Sequence, residues 1–196
     1  MKRSSDTAAR AADRIFDSAR ELFYREGTRA VGVDEIVSRA GATKPTLYRS
    51  FESKDQLIAA YLRDQGNHFW SYFDAAAEAH PGDPRAQILA YLEGLAGRAD
   101  VAGYRGCGLT NAVVEYPDPT HPGRQVAVEH KTELRERLRG MAREIGARQP
   151  DALADALLLL IEGVFVSSQL FGPGGPATAV TAAAEALFDA YGAETR

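Results

Sequence analysis

The chain predicts an all-α protein of about nine helices. Three observations carry that expectation. Apolar residues return at helical spacing along most of the length, no segment sustains the strict alternation of a half-buried strand, and glycine and proline clusters break the pattern at helix-sized intervals.

The elements follow in order. Ala12, Ile15, Phe16, Ala19, Leu22 and Phe23 make one apolar stripe on a long first helix, and Gly27 ends it. Val33, Ile36, Val37 and Ala40 repeat the spacing on a short second helix. Asp34 and Glu35 sit in its first turn, where the helix dipole favours negative charge, and Gly41 follows at once. Thr43 offers an N-cap hydroxyl to a third helix, and Pro45 suits its early positions. Leu47 and Phe51, four apart, face inward. Ser53 caps a fourth helix carrying Leu57, Ile58, Tyr61, Leu62, Phe69, Tyr72 and Phe73. The break at residues 80–84 places Asp83 as cap and Pro84 as opener of a fifth helix that runs to about Arg98. Gly103, Gly106 and Gly108 mark a turn. A short helix from Leu109 to Glu115 stops at residues 116–119, where two prolines stand. Residues 122–146 read as a helix with Val126, Leu134, Leu138, Met141 and Ile145 inward. Pro150 opens an almost wholly apolar helix to about Phe171. Three glycines and two prolines over 172–176 separate it from a last stripe of Val180, Ala183, Ala184, Leu187, Phe188 and Tyr191.

Composition narrows the function classes. Of 196 residues, 45% are hydrophobic, enough to build a core, so wholesale disorder is excluded. The longest uninterrupted apolar run, residues 156–161, is short for a bilayer span, and Met1 to Ala12 shows no apolar signal core. A soluble cytoplasmic protein without membrane contact is the expectation. Cys107 is the single cysteine, which removes an intrachain disulfide and a CxxC zinc site. The four histidines lie on different predicted elements with no HExxH pair, and Ser167 and Ser168 lack a nucleophile-elbow setting. Neither catalysis nor a cofactor is expected. The net charge of −4 is unevenly spread. Residues 1–50 hold ten Lys and Arg against seven Asp and Glu, a net +3, while the remainder is −7. A basic end on an acidic body suits a chain that meets phosphate at one end only.

Residues 33–51 carry the functional signal. Two short helices meet at a turn containing Gly41, with almost no residues between them, as in a helix-turn-helix. The second has one inward side, Leu47 and Phe51, and an outward side of Lys44, Thr46, Tyr48 and Arg49. These are donors of the kind that reach base edges and phosphate oxygens in a major groove.

From about Arg14 through Leu62 the chain closely resembles the DNA-binding domain of the TetR family of repressors. The resemblance rests on residues 19–23 (AREL followed by Phe23), Gly27 with Thr28, residues 33–36 (VDEI), Ala40-Gly41, Thr46-Leu47-Tyr48, and Phe51 with Ser53-Lys54-Asp55-Gln56-Leu57. Pro45 stands where the family often has a small residue. The resemblance implies a DNA-binding domain over residues 1–53 and a ligand-sensing and dimerisation domain over 54–196. It implies that Thr43, Lys44, Thr46, Tyr48 and Arg49 face double-stranded operator DNA. Thr46 and Lys44 are then the base readers and Tyr48 a phosphate contact, with Lys54 and Thr28 meeting the backbone. It further implies a homodimer whose last two helices pair with their copies, and a small-molecule effector held among the middle helices. Trp70, Tyr72, Tyr91, Tyr104, Cys107, Asn111 and Phe165 are the candidate ligand contacts, and Glu115, one turn beyond Asn111, a candidate ligand orienter. Two alternatives stand beside a ligand-released repressor: a redox-sensing regulator acting through Cys107, and a constitutive DNA-binding protein without a ligand.

Overall fold

A computed structural model describes residues 2–192, with side chains from Arg10 onward. Lys2 and Arg3, counted in the basic end of the sequence, lie outside the described side chains. Among the described residues there are nine α-helices and no strand: α1 Lys2–Glu26, α2 Val33–Arg39, α3 Lys44–Phe51, α4 Lys54–Ala79, α5 Pro84–Ala99, α6 Gly108–Glu115, α7 Pro122–Glu144, α8 Pro150–Phe171 and α9 Val180–Tyr191. A 3-10 turn, Pro176–Ala179, leads into α9. The helix count and order are those the periodicity predicts.

The chain forms two compact units that do not follow the expected division at residue 53. The first comprises residues 1–65 together with 111–128, and the second comprises 66–110 with 129–196.

In the first unit, α1 packs against both α2 and α3. Ile15, Ala19, Leu22 and Phe23 of α1, Ile36 and Val37 of α2, Leu47 of α3, and Leu57, Ile58, Tyr61 and Leu62 of α4 make its core. The ring of Phe23 tilts against Tyr61 at 5.6 Å, and Phe16 stacks on Phe51 at 6.4 Å. The turn between α2 and α3 is closed by two backbone bonds, Gly41 N–H to the Ser38 carbonyl and Ala42 N–H to that of Val37. Gly41 has φ +56°, the left-handed conformation this helix ending requires, which explains a glycine there.

In the second unit, α8 packs against α5 and α9. Its core holds Phe69 and Phe73 of α4, Ile88, Tyr91, Leu92 and Leu95 of α5, Leu134 and Leu138 of α7, Leu153, Leu157, Ile161, Val164 and Phe165 of α8, and Phe188 of α9. Gly106, at φ +70°, lies so close to the Phe165 carbonyl that a β-carbon would sit 2.6 Å from it. The sequence suggests that α8 is apolar all round, and the structure leaves one of its sides open. Leu159 and Leu170 are each 72% exposed, and Val166 and Phe171 are exposed as well. By length and composition α8 is long and apolar enough to cross a bilayer, as buried core helices also are.

Candidate nucleic-acid interface

The interface is built from α3 outward. Leu47 is wholly buried, so the helix is anchored from behind. Its neighbours in sequence face the other way: Thr43, Lys44, Arg49 and Ser50 are exposed, and Tyr48 is 46% exposed. Thr43, Thr46 and Arg49 follow one another at three-residue spacing and share one polar ridge. The Thr43 and Thr46 hydroxyls are 3.0 Å apart, and Arg49 Nη2 stands 3.5 Å from Thr46 Oγ1. Thr43 occupies the N-cap position without capping a backbone N–H by its side chain, contrary to the sequence expectation. Its hydroxyl turns to Thr46 instead, which keeps both hydroxyls on the outer side.

Lys44 pairs with Asp34 of α2 at 2.8 Å, and that hydrogen bond and charge raise its pKa above the ordinary lysine value. Both partners are largely exposed, so solvent screens the pair and a phosphate can replace Asp34 at little penalty. Two contacts fix the pose of the helix pair on α1. Arg14 Nε donates to the Ala40 carbonyl at 3.1 Å, and Arg39 meets Glu21 at 2.6 Å. At the start of α4, Ser53 accepts from the Gln56 N–H at 3.1 Å, the cap the sequence predicts. Lys54 is half-buried there, and desolvation pulls its pKa down.

Thr28 is a correction. It is 5% exposed and its hydroxyl donates to the Glu115 carboxylate, so in this conformation it offers nothing to a phosphate. Glu115 is correspondingly turned away from ligand orientation: it also accepts from the Arg29 backbone N–H at 3.2 Å.

In the second unit a polar cluster sits among aromatic rings. Lys131 Nζ lies 2.6 Å from Glu162, 3.6 Å from Cys107 Sγ, 4.8 Å from the Phe165 ring centre and 5.7 Å from that of Phe69. Thr110 donates to Glu162 at 2.7 Å. Tyr91 packs on Phe69 and Phe73, and burial pushes its phenol well above the ordinary value. His130 is nearly buried, with its ring 4.7 Å from both Phe69 and Trp70. Desolvation lowers its pKa to about 4, reinforced by the charge of Lys131.

The comparisons with known proteins agree with this geometry. Residues 15–61 match the family described as bacterial regulatory proteins, tetR family. An HTH-type transcriptional regulator of Mycobacterium tuberculosis is 44% identical over 52 residues, 26% of each chain. The HTH-type transcriptional activator FasR of Mycolicibacterium smegmatis is 48% identical over 46 residues, 24% of this chain and 21% of that one. The chain thus matches only about a quarter of the length of these curated relatives. A crystal structure of a TetR-family transcriptional regulator from Streptomyces coelicolor superposes with a TM-score of 0.85 at 28% identity, over 94% of this chain and 97% of that one. Residues 15–61 belong to the TetR family, and the chain shares the fold of its members.

Thr43, Lys44, Thr46, Tyr48 and Arg49 fall on one accessible side of α3, with Thr46 half-buried. Of the candidate ligand contacts, Cys107 and Phe165 converge on Lys131, and Tyr91 joins them through Phe69. Trp70 packs beside this group, against Phe69, Phe73 and His130. Tyr72 does not join: it is 48% exposed under the Arg98 guanidinium, 4.0 Å from its ring centre. Tyr104 is half-buried on the turn before α6. Asn111 is half-buried and belongs to the first unit, whereas the others belong to the second. Lys131, Glu162 and Thr110 were missed. One signal was present in the sequence, since Glu162 is the only charge in the apolar stretch 156–171.

Proposed function

We propose that the protein is a cytoplasmic, ligand-responsive transcriptional repressor that binds a palindromic DNA operator as a homodimer and is released by a small molecule. The observation that carries this reading is the two-sidedness of α3, with Leu47 sealed inside while Thr43, Lys44, Tyr48 and Arg49 stand outside. A helix anchored from one side and rich in donors on the other suits a major groove about 12 Å wide. One such helix makes few contacts, so specific affinity calls for two half-sites read by a two-fold dimer. The open side of α8 supports self-association. Leu159, Gly163, Val166 and Leu170 align at helical spacing, and a β-carbon added at Gly163 meets only open space. Ala179, Ala182, Ala186 and Ala190 are likewise exposed along α9 and its approach, and they permit close packing. The Lys131–Glu162 pair, flanked by Phe69, Tyr91 and Phe165, supports an effector that combines an apolar body with a polar group.

Selection of bound duplexes from a random pool, followed by a compound screen for release, tests the proposal. Enrichment of a two-fold symmetric sequence is expected. No enrichment, or an enriched duplex bound equally well after Lys44→Ala and Tyr48→Ala, overturns the operator reading. A duplex that no compound releases favours a constitutive binder.

A second reading has its own observation. The Lys131 ammonium stands 3.6 Å from the Cys107 sulfur. In this reading hydrogen peroxide oxidises Cys107 to a sulfenic acid, with water leaving, and the operator is released. Equal operator affinity of wild type and Cys107→Ser after peroxide removes it.

A further inference from the structure

We propose that Glu115 is a positioning residue for the DNA-reading helices, one that sets operator affinity without touching DNA. The inference rests on the operator-binding reading above. Glu115 closes α6, far in sequence from the helix-turn-helix, yet residues 111–128 fold into the same compact unit. Its carboxylate accepts from the buried Thr28 hydroxyl and from the Arg29 N–H, and its backbone carbonyl accepts from the Arg29 guanidinium at 3.2 Å. The carboxylate also lies close to the turn, with Oε1 3.2 Å from where a β-carbon of Gly27 would stand. Residues 27–32 are the link from α1 to α2, so holding them fixes the direction in which α2, and then α3, leaves.

The residues after Glu115 grip the other flank. Arg124 donates to the carbonyls of Val113 and Tyr116 at 2.7 and 2.9 Å, which closes the end of α6. The Tyr116 ring stacks on His121 at 3.7 Å, and His121 Nε2 stands 3.5 Å from Asp55 in the first turn of α4. Gly123 lies against Ile58 and Leu62 of the same helix. Residues 113–124 therefore brace the exit of α1 and the entry of α4, the two points between which α2 and α3 are strung. A carboxylate holding several donors can also be read as a mask over a phosphate site. The two readings differ in outcome: withdrawing a mask tightens DNA binding, whereas losing a brace weakens it.

The test uses the full-length protein and the duplex that wild type selects. Thr28→Val and Glu115→Leu are each expected to weaken binding about tenfold, the scale of a lost hydrogen bond to a charged group, and to weaken it little further together. Thr28→Ser and Glu115→Gln, which keep a donor and an acceptor, restore affinity to within about threefold. The salt slope stays that of wild type throughout, because no phosphate contact is lost. A general loss of stability would not produce rescue by the conservative pair together with an unchanged slope. Glu115→Leu binding as tightly as wild type overturns the proposal, as does tighter binding, which is the signature of a mask. A slope reduced by about one in Thr28→Val also overturns it, by showing a direct phosphate contact. If wild type selects no duplex, the operator reading fails first, a result separable from the others, and takes this proposal with it.

Discussion

Adjacent residues of α3 have opposite duties, and each duty has its own measurement. Leu47 is fully enclosed, so Leu47→Ala should lower stability by about 2–5 kcal/mol in chemical denaturation. Lys44→Ala and Tyr48→Ala remove exposed donors, so they should leave the denaturation midpoint close to that of wild type. Each should instead weaken operator binding, and a true phosphate contact should reduce the salt slope by about one. His130 titrates in the opposite sense to a paired histidine. Its pKa is about 4 in the fold, against an ordinary 6.5, so it stays neutral while the unfolded chain takes up a proton. Its contribution to stability is therefore complete above pH 6.5 and is lost as the pH falls towards 4, by no more than roughly 2 to 3 kcal/mol. Unfolding of His130→Phe followed over that range should show a flatter acid slope than wild type, and an identical slope would contradict the assignment.

At the scale of the element, α8 is the most informative. Its inner positions Leu153, Leu157, Ile161 and Val164 fill the second unit, while Leu159 and Leu170 meet solvent. Burying an apolar side chain of that size contributes about 1.5–3 kcal/mol, so an open stripe of them is a strong adhesive for a second copy. Leu159→Glu and Leu170→Glu should convert a dimer into a monomer in sedimentation, with the helical circular dichroism of each chain kept. Dimers that persist in both variants would place the self-association surface elsewhere. Sequence periodicity located α8 correctly and yet suggested a helix needing cover on every side. A period of 3.6 identifies which residues share a face, but not which faces the rest of the chain covers. The same gap separates Tyr72 from Phe73. Both are aromatic and both lie on α4, but only Phe73 is turned to the core.

For the whole molecule, the proposed dimer makes operator affinity depend on protomer concentration. The Leu159→Glu and Leu170→Glu variants should bind a single half-site with the same base preference as wild type and lose the gain from joining two half-sites. A gel-shift series on one-site and two-site duplexes measures this, and equal preference of a monomer for the two-site duplex would refute it. α4, α6 and α7 each begin in one compact unit and end in the other. The sequence by itself determined the all-α class, the nine helices with their order, the helix-turn-helix, and the donors on its outer side. These depend on local periodicity, on capping residues, and on glycine at Gly41, all readable within a few positions. Only the tertiary structure decided that the Thr28 hydroxyl meets Glu115, that Lys131 and Glu162 meet beside Cys107, and that one side of α8 is bare. Those are contacts between residues as many as 87 positions apart, and a chain's pattern carries burial preferences without naming partners.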